Sequence, residues 1–187
     1  LIGRTDMLEV KKSAHWKAKT VDPSALLHRP KEADKHATFC CQDQVHKIDN
    51  IIDRDLIKKS SPAIERREKV SISSAIKNTD RTAGAMLSYE ISKRYGEEAL
   101  PEDTITVDFN GSAGQSFGAF LAQGVTFRLS GDANDYLRKG LSGGKIIVTP
   151  PAGSTFKPEE SIIVGNTLMY GAIKGEVYIR GVAGERF

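Results

Sequence analysis

Gly124-Val125-Thr126-Phe127-Arg128, Gly144-Lys145-Ile146-Ile147-Val148 and Gly175-Glu176-Val177-Tyr178-Ile179 share one form. Each is a glycine, one further residue, and then strand-forming residues in alternation. β-Branched and aromatic side chains favour the pleated, half-buried surface of a sheet, and glycine reaches positive φ where the chain must turn. The form belongs to a wider region. Fourteen of the 17 glycines lie between Gly111 and Gly184, about one residue in five against the usual ~7%. Gly111 and Gly131 are twenty residues apart, as are Gly124 and Gly144. Ser116-Phe117-Gly118-Ala119 also resembles Met169-Tyr170-Gly171-Ala172. One strong strand per unit of about 20 residues predicts a mainly β solenoid of stacked coils. A sandwich and an antiparallel barrel are the competing all-β architectures, and no well-formed hairpin turn supports them. Eleven glycines are assigned to structural turns: Gly111, Gly114, Gly118, Gly124, Gly131, Gly144, Gly165, Gly171, Gly175, Gly181 and Gly184.

Upstream the pattern changes. Thr104 to Asn110 alternates as a strand, and Val70 to Ser73 as another. A helix is expected through Met86, Leu87, Ile91 and Tyr95, stopping at Gly96. Ser61-Pro62 starts a second helix, running to about Lys69. Residues 47–59 form a third, with Ile48, Ile51, Ile52 and Leu56 inward and Asp49, Asp53, Lys58 and Lys59 outward. Thr5 or Asp6 is placed as cap of a short helix, and Ser24 to Leu27 as a single helical turn. Residues 20–46 otherwise lack periodicity, which suits a chain running over a surface, including one belonging to a neighbour. The division expected is a helical and extended segment over 1–77 and a glycine-rich domain over 78–187.

Composition excludes several classes. The chain has 187 residues, 27% charged and 39% hydrophobic, with a net charge of +3. Residues 1–70 carry 15 Lys/Arg against 11 Asp/Glu, a mild excess without the basic, aromatic-interleaved stripe of a nucleic-acid surface. No stretch approaches the ~20 apolar residues of a membrane span, and the first residues do not form a signal peptide. Two adjacent cysteines, Cys40 and Cys41, suit a reducing compartment.

Candidate chemistry is sparse. Gly111-Ser112-Ala113-Gly114-Gln115-Ser116-Phe117-Gly118 invites a phosphate-loop reading but lacks the Gly-Lys-Ser/Thr ending. His15, His28, His36 and His46 with Cys40 and Cys41 match no zinc spacing. Asp132, Asn134 and Asp135 do not fit a calcium loop, and Asp132 reads better as cap of a short helix from Ala133 to Arg138. No catalytic, cofactor-binding or metal-ligating residue is assigned.

The glycine-rich half, taken whole, resembles a known family. Phe109-Asn110-Gly111-Ser112-Ala113-Gly114-Gln115-Ser116-Phe117-Gly118, Leu129-Ser130-Gly131-Asp132-Ala133-Asn134-Asp135-Tyr136 and Lys139-Gly140-Leu141-Ser142-Gly143-Gly144 are similar to the C-terminal glycine-rich domain of the glutamate synthase large subunit. Ile163-Val164-Gly165-Asn166-Thr167, Tyr170-Gly171-Ala172 and Gly181-Val182-Ala183-Gly184-Glu185-Arg186-Phe187 continue the likeness, as do Asn78-Thr79-Asp80-Arg81 and Gly84. Leu1-Ile2-Gly3-Arg4-Thr5-Asp6 resembles the boundary after that enzyme's flavin-binding domain, and residues 10–70 match loosely. The resemblance implies a right-handed parallel β-helix, cut short at Phe187. It implies an enzyme making two glutamates from glutamine, 2-oxoglutarate and a reductant, with FMN and an iron–sulfur cluster in a neighbouring domain. Implied partners are the other large-subunit domains, with a small subunit or ferredoxin in the full enzyme. The implied location is cytoplasmic, or the plastid of a photosynthetic eukaryote. No family catalytic residue carries over to a position here. The alternative is a freestanding scaffold subunit of another redox complex, like the related subunit of formylmethanofuran dehydrogenase.

Overall fold

The computed structural model describes all residues except 1–3, 5, 6, 9–11, 13 and 38. The cap expected at Thr5 or Asp6 lies outside them. The contacts divide the chain into two units, residues 1–46 and 47–187. The first contains short helical pieces: a 3-10 turn at Trp16–Thr20, α1 at Ser24–Leu27, and another 3-10 turn at Lys31–Lys35. The single turn expected at Ser24 to Leu27 is therefore present.

The second unit carries the sheet. Its helices are α2 (Ile52–Lys59), α3 (Ser61–Arg66) and α4 (Ala85–Tyr95). Its strands are β1 (Val70–Ile76), β2 (Ile105–Ala113), β3 (Val125–Ala133), β4 (Ser142–Thr149), β5 (Ile162–Val164), β6 (Lys174–Ile179) and β7 (Val182–Ala183). All seven are paired in parallel in one sheet, in the order β1-β2-β3-β4-β6, with β5 beside the end of β3 and β7 beside β5. Among the described residues β1 pairs only with β2, and β6 only with β4. The sheet thus has two open edges and does not close on itself.

This corrects the expected right-handed parallel β-helix. The fold is α/β: an open parallel sheet with helices packed in the same core. The sequence period is real, but its cause is different. Ile105 pairs with Val125 and Gly111 with Gly131, twenty residues on. A fixed spacing between parallel neighbours follows equally from crossovers of uniform length, since parallel strands need such connections. The β1-to-β2 crossover contains α4, and its Leu87 and Ile91 are buried with Phe127 and Leu121 in one apolar cluster. Glycine spacing carries no signal for that helical contribution.

Burial alternates along the strands as the pleat requires. Ile105, Val107 and Phe109 of β2 lie beside Val125, Phe127 and Leu129 of β3, all buried. Phe109, Phe117 and Phe127 meet with ring centroids 5.0–5.4 Å apart, Phe109 edge-on to the other two, the geometry aromatic quadrupoles favour.

Smaller expectations are corrected too. The helix expected at 47–59 starts at Ile52, with Ile48 exposed and Asp53 buried. The second helix ends at Arg66, where Arg67 takes a left-handed φ of 58° and closes the turn. Ser61 does not cap it; its hydroxyl donates to Glu65 at 2.8 Å. The helix expected over Ala133 to Arg138 is absent, and the chain there is β3's last residue and a turn.

Candidate functional site

Three turns of one shape follow β2, β3 and β5. In each, every second residue is left-handed: Ser116, Gly118 and Phe120; Tyr136, Arg138 and Gly140; Thr167, Met169 and Gly171. Such values are unfavourable for side-chain-bearing residues. A ladder of backbone hydrogen bonds between neighbouring turns holds them. Ser116 donates to Asp135 and Tyr136 to Asn166, at 2.9 and 3.0 Å; Arg138 donates back to Phe117 and Met169 to Leu137, at 3.0 and 2.9 Å. Phe117, Leu137 and Leu168 point inward and are buried. The match therefore pairs Gly118 with Met169, not with Gly171 as the tetrapeptide resemblance has it.

This geometry rules out the phosphate-loop reading of Gly111 to Gly118. Ser116 N–H donates to Asp135, and Gly118 N–H donates to the Ala83 carbonyl at 2.9 Å. Those donors are occupied, and no helix begins there. The polar residues of the candidate cation site are also engaged. Asp132 accepts from Ser112 at 2.6 Å, Asn134 donates to Asn78 at 3.2 Å, and Asp135 accepts from the Asn166 N–H at 2.7 Å. Asp132 therefore caps no helix. No group of three His, Cys, Asp or Glu among the described residues has metal-binding geometry. His28, His36, His46, Cys40 and Cys41 are exposed in the first unit.

The turn glycines fall at distinct places. Gly111 and Gly131 are register partners inside β2 and β3, while Gly144 and Gly175 immediately precede Lys145 and Glu176, where the regular pairing of β4 and β6 begins. Gly118 and Gly171 lie in the stacked turns, and Gly124 precedes β3. Gly114 sits against the Asn78 and Asp80 carbonyls, Gly165 against Asp135, Gly181 against Ile163 and Gly184 against Asn166. These are close approaches of backbone rather than a single kind of corner.

A cleft of about 270 Å³ crosses the starts of β3, β4 and β6. Lys145 stands in it, 3.7 Å from both Asp103 and Glu176. Asp103 also accepts from the Thr126 hydroxyl at 2.6 Å. That bond, more than the Lys145 charge, holds its carboxyl below the usual range. Lys174 donates to Gln123 at 2.7 Å, and Tyr178 to Glu176 at 3.0 Å. Lys145 of β4 and Glu176 of β6 thereby link neighbouring strands, and Thr126 ties β3 to the turn before β2. A nucleophile with a general base beside it, which covalent catalysis requires, is not among them.

Beneath this cleft lies a residue that sequence reasoning missed. Arg138 is fully buried. Its Nη2 donates to the Gly144 carbonyl at 2.7 Å, while Nε and Nη1 meet no acceptor among the described residues. Burial pushes the guanidinium down to about 9, with the Glu176 charge pulling the other way. Aligning the stacked turns reveals the anomaly, because Arg138 stands where Gly118 and Met169 stand. A buried charge with few partners destabilises a fold. Arg138→Met is therefore expected to hold or raise stability by about 1–2 kcal/mol, read as the urea midpoint.

The family model described as the GXGXG motif matches residues 53–187. Over its whole length the chain is similar to three proteins: 50% identical to the glutamate synthase [NADPH] large chain of Bacillus subtilis, 48% to the glutamate synthase [NADH] of Schizosaccharomyces pombe, and 39% to the ferredoxin-dependent glutamate synthase 2 of Synechocystis. It spans 12%, 9% and 12% of those relatives. The match takes in residues 10–70, which the motifs covered only loosely.

Proposed function

We propose a role from one premise: the chain belongs to the GXGXG motif family, and its relatives are glutamate synthases about ten times its length. The role is that of a structural and interface domain of a glutamate synthase, without catalytic residues of its own. The parent reaction would pass the amide nitrogen of glutamine to 2-oxoglutarate with reduction, giving two glutamates. The observation that carries this reading is the full-length match, at up to 50% identity, to one region of much longer enzymes. The rigid parallel sheet supports it, because every polar cluster in it is engaged in cross-strand or turn contacts. A freestanding subunit of another redox complex has no observation here in its favour.

FMN and an iron–sulfur cluster belong, in this reading, to a neighbouring domain. The residues of this chain do not fit them. A cluster takes three or four thiolates, and Cys40 and Cys41 are the only cysteines. An FMN phosphate needs free donors, and the N–H groups of Ser116, Tyr136, Arg138 and Met169 in the glycine-rich turns are spent on the ladder. Electrons, from a small subunit or from ferredoxin, would enter outside these residues. The enzyme would work in the cytoplasm, or in the plastid of a photosynthetic eukaryote. No helix among the described residues is long and apolar enough to cross a membrane.

The purified 187-residue chain is expected to show no flavin absorbance, no glutaminase activity and no glutamate formation, with a folded circular dichroism spectrum. Placed in the Bacillus subtilis large chain in exchange for the matching stretch, it should support glutamate synthesis. Glutamate production by the isolated chain would overturn the scaffold role, and an inactive, well-folded exchange would overturn the assignment to this enzyme.

A further inference from the structure

Residues 1–46 are a separate unit. Hydrogen bonds among its described residues include the local Ala18 to His15, Leu27 to Pro23 and Arg29 to Asp34. Neither Ser24–Leu27 nor Lys31–Lys35 contains a buried residue. Yet large apolar side chains recur along the unit and face outward: Trp16 is 66% exposed, Leu26 80%, Phe39 75% and Val45 85%. Described residues that expose such apolar side chains gain little from burial to offset the cost of ordering them.

The extent of the family match sets this unit apart from the sheet. The GXGXG family model starts at residue 53, beyond this unit. The relatives nevertheless match the entire chain, at 36–50% identity. The first 46 residues are therefore shared with glutamate synthases and are not part of the GXGXG module itself. Their role belongs to the assembly of that enzyme rather than to the sheet.

We propose that residues 14–46 are a docking arm, laid across an apolar groove on another domain of the same long polypeptide, with Trp16, Leu26, Phe39 and Val45 as its buried anchors. This rests on the glutamate synthase reading. The chemistry of the arm selects a protein surface. Within residues 1–46 eight Lys/Arg are interleaved with six Asp/Glu, too balanced for a phosphate backbone or an anionic lipid surface. Its helical pieces are five residues or fewer, too short to present the amphipathic face that lies on a membrane. Spacings of 10, 13 and 6 residues between the anchors let an extended chain reach pockets up to roughly 35–45 Å apart. Aromatic anchors in pockets dominate the energetics of protein interfaces. A tethered arm needs only modest contacts, because its effective concentration beside the partner is already high.

The test is hydroxyl-radical footprinting, read by mass spectrometry at Trp16 and Phe39. It compares the isolated 187-residue chain with the same residues exchanged into the Bacillus subtilis large chain. Trp16 is the only tryptophan of the chain, and its oxidation is expected to slow at least tenfold in the long polypeptide. Trp16→Ala/Phe39→Ala/Val45→Ala in that polypeptide should speed proteolytic cleavage within residues 14–46 at least tenfold. Should the exchange not fold, the 187-residue chain added as a separate polypeptide to the large chain lacking its own matching stretch gives the same footprint. Equal oxidation in both settings would overturn the arm. So would protection of the isolated chain that grows with its concentration, which would mean that a second copy covers the anchors. An active exchange with an unprotected arm would sink this proposal alone; a folded but inactive one would sink the enzyme assignment beneath it.

Discussion

Asp53→Ala is expected to lower the unfolding free energy by about 3–5 kcal/mol, a large part of the 5–15 kcal/mol that holds a typical domain. The Asp53 carboxylate lies on α2 but caps α4, more than 30 residues away. It accepts from the N–H groups of Gly84 and Met86 at 2.7 Å and of Leu87 at 3.3 Å. These belong to the first turn of α4, whose own N-cap residue, Gly84, has no side chain to offer. Removing the carboxylate leaves those donors unmet in the interior. Asp55→Ala, two residues on, is the control. Asp55 is exposed and paired with Lys59 at 3.2 Å, an arrangement worth about 0.3–0.5 kcal/mol. Urea denaturation of the three proteins measures the difference.

The same carboxylate sets a pH dependence. Burial pushes the Asp53 carboxyl above its ordinary range, against the pull of its three donors. The folded state therefore holds the proton more tightly than the unfolded state. Stability from this source is present at acidic pH and is lost as pH rises through the folded pKa. The stability of wild type relative to Asp53→Asn should accordingly shrink as pH rises from the ordinary carboxyl value of 3.8 through the raised pKa of the folded state.

Gly131→Ala is expected to cost about 3–5 kcal/mol, combining backbone strain with overpacking. For a chain of this size that is a fall in Tm of roughly 10 °C. Gly131 pairs with Gly111 across β3 and β2, and both have positive φ, 157° and 131°. A methyl group at Gly131 would run into the Gly111 carbonyl oxygen, and one at Gly111 into that of Ile76. Neither obstacle is a side chain that could rotate away. Gly153→Ala separates the two causes: Gly153 also has positive φ, 84°, but nothing stands within 4 Å of an added methyl. Its substitution should cost about 1 kcal/mol. Equal losses at both positions would mean that φ alone, and not the approach of neighbouring strands, demands glycine at Gly131.

The parts of the fold legible in the sequence were those with a local cause. β2, β3 and β4 announce themselves by β-branched alternation between glycines, and the twenty-residue spacing of Gly111 and Gly131 is the register of β2 with β3. α4 was legible from the stripe of Leu87 and Ile91. Long-range partners were not. Nothing beside Asp53 shows that its acceptors serve α4, so its helical position alone places it on the outer face. The stretch from Ala133 to Arg138 has a helix former's composition and a good capping residue. The turn wins there because its backbone donors find carbonyls in the turns on either side, from parts of the chain 21 and 30 residues away. Sheet closure, too, depends on which strands meet, and a period in glycines does not encode that. At the candidate site the acidic and basic residues of the cleft were individually unremarkable. Only the register brings Asp103, Lys145 and Glu176 together.

Between β2 and β6 the pairing offset jumps in one place. Neighbours are 20 residues apart from β2 to β3 and 19 from β3 to β4, but 31 from β4 to β6. The surplus is absorbed around Pro150 to Pro158, before β5, where Gly153 has open space around it. The turns on both sides keep the same hydrogen-bond ladder regardless. Chain length at that point is thus uncoupled from the architecture, as if the scaffold had a built-in splice port. A fluorescent protein or an epitope spliced in after Pro151 would leave the strand register untouched, whereas the same cargo between Gly114 and Gly118 would break the ladder on two sides.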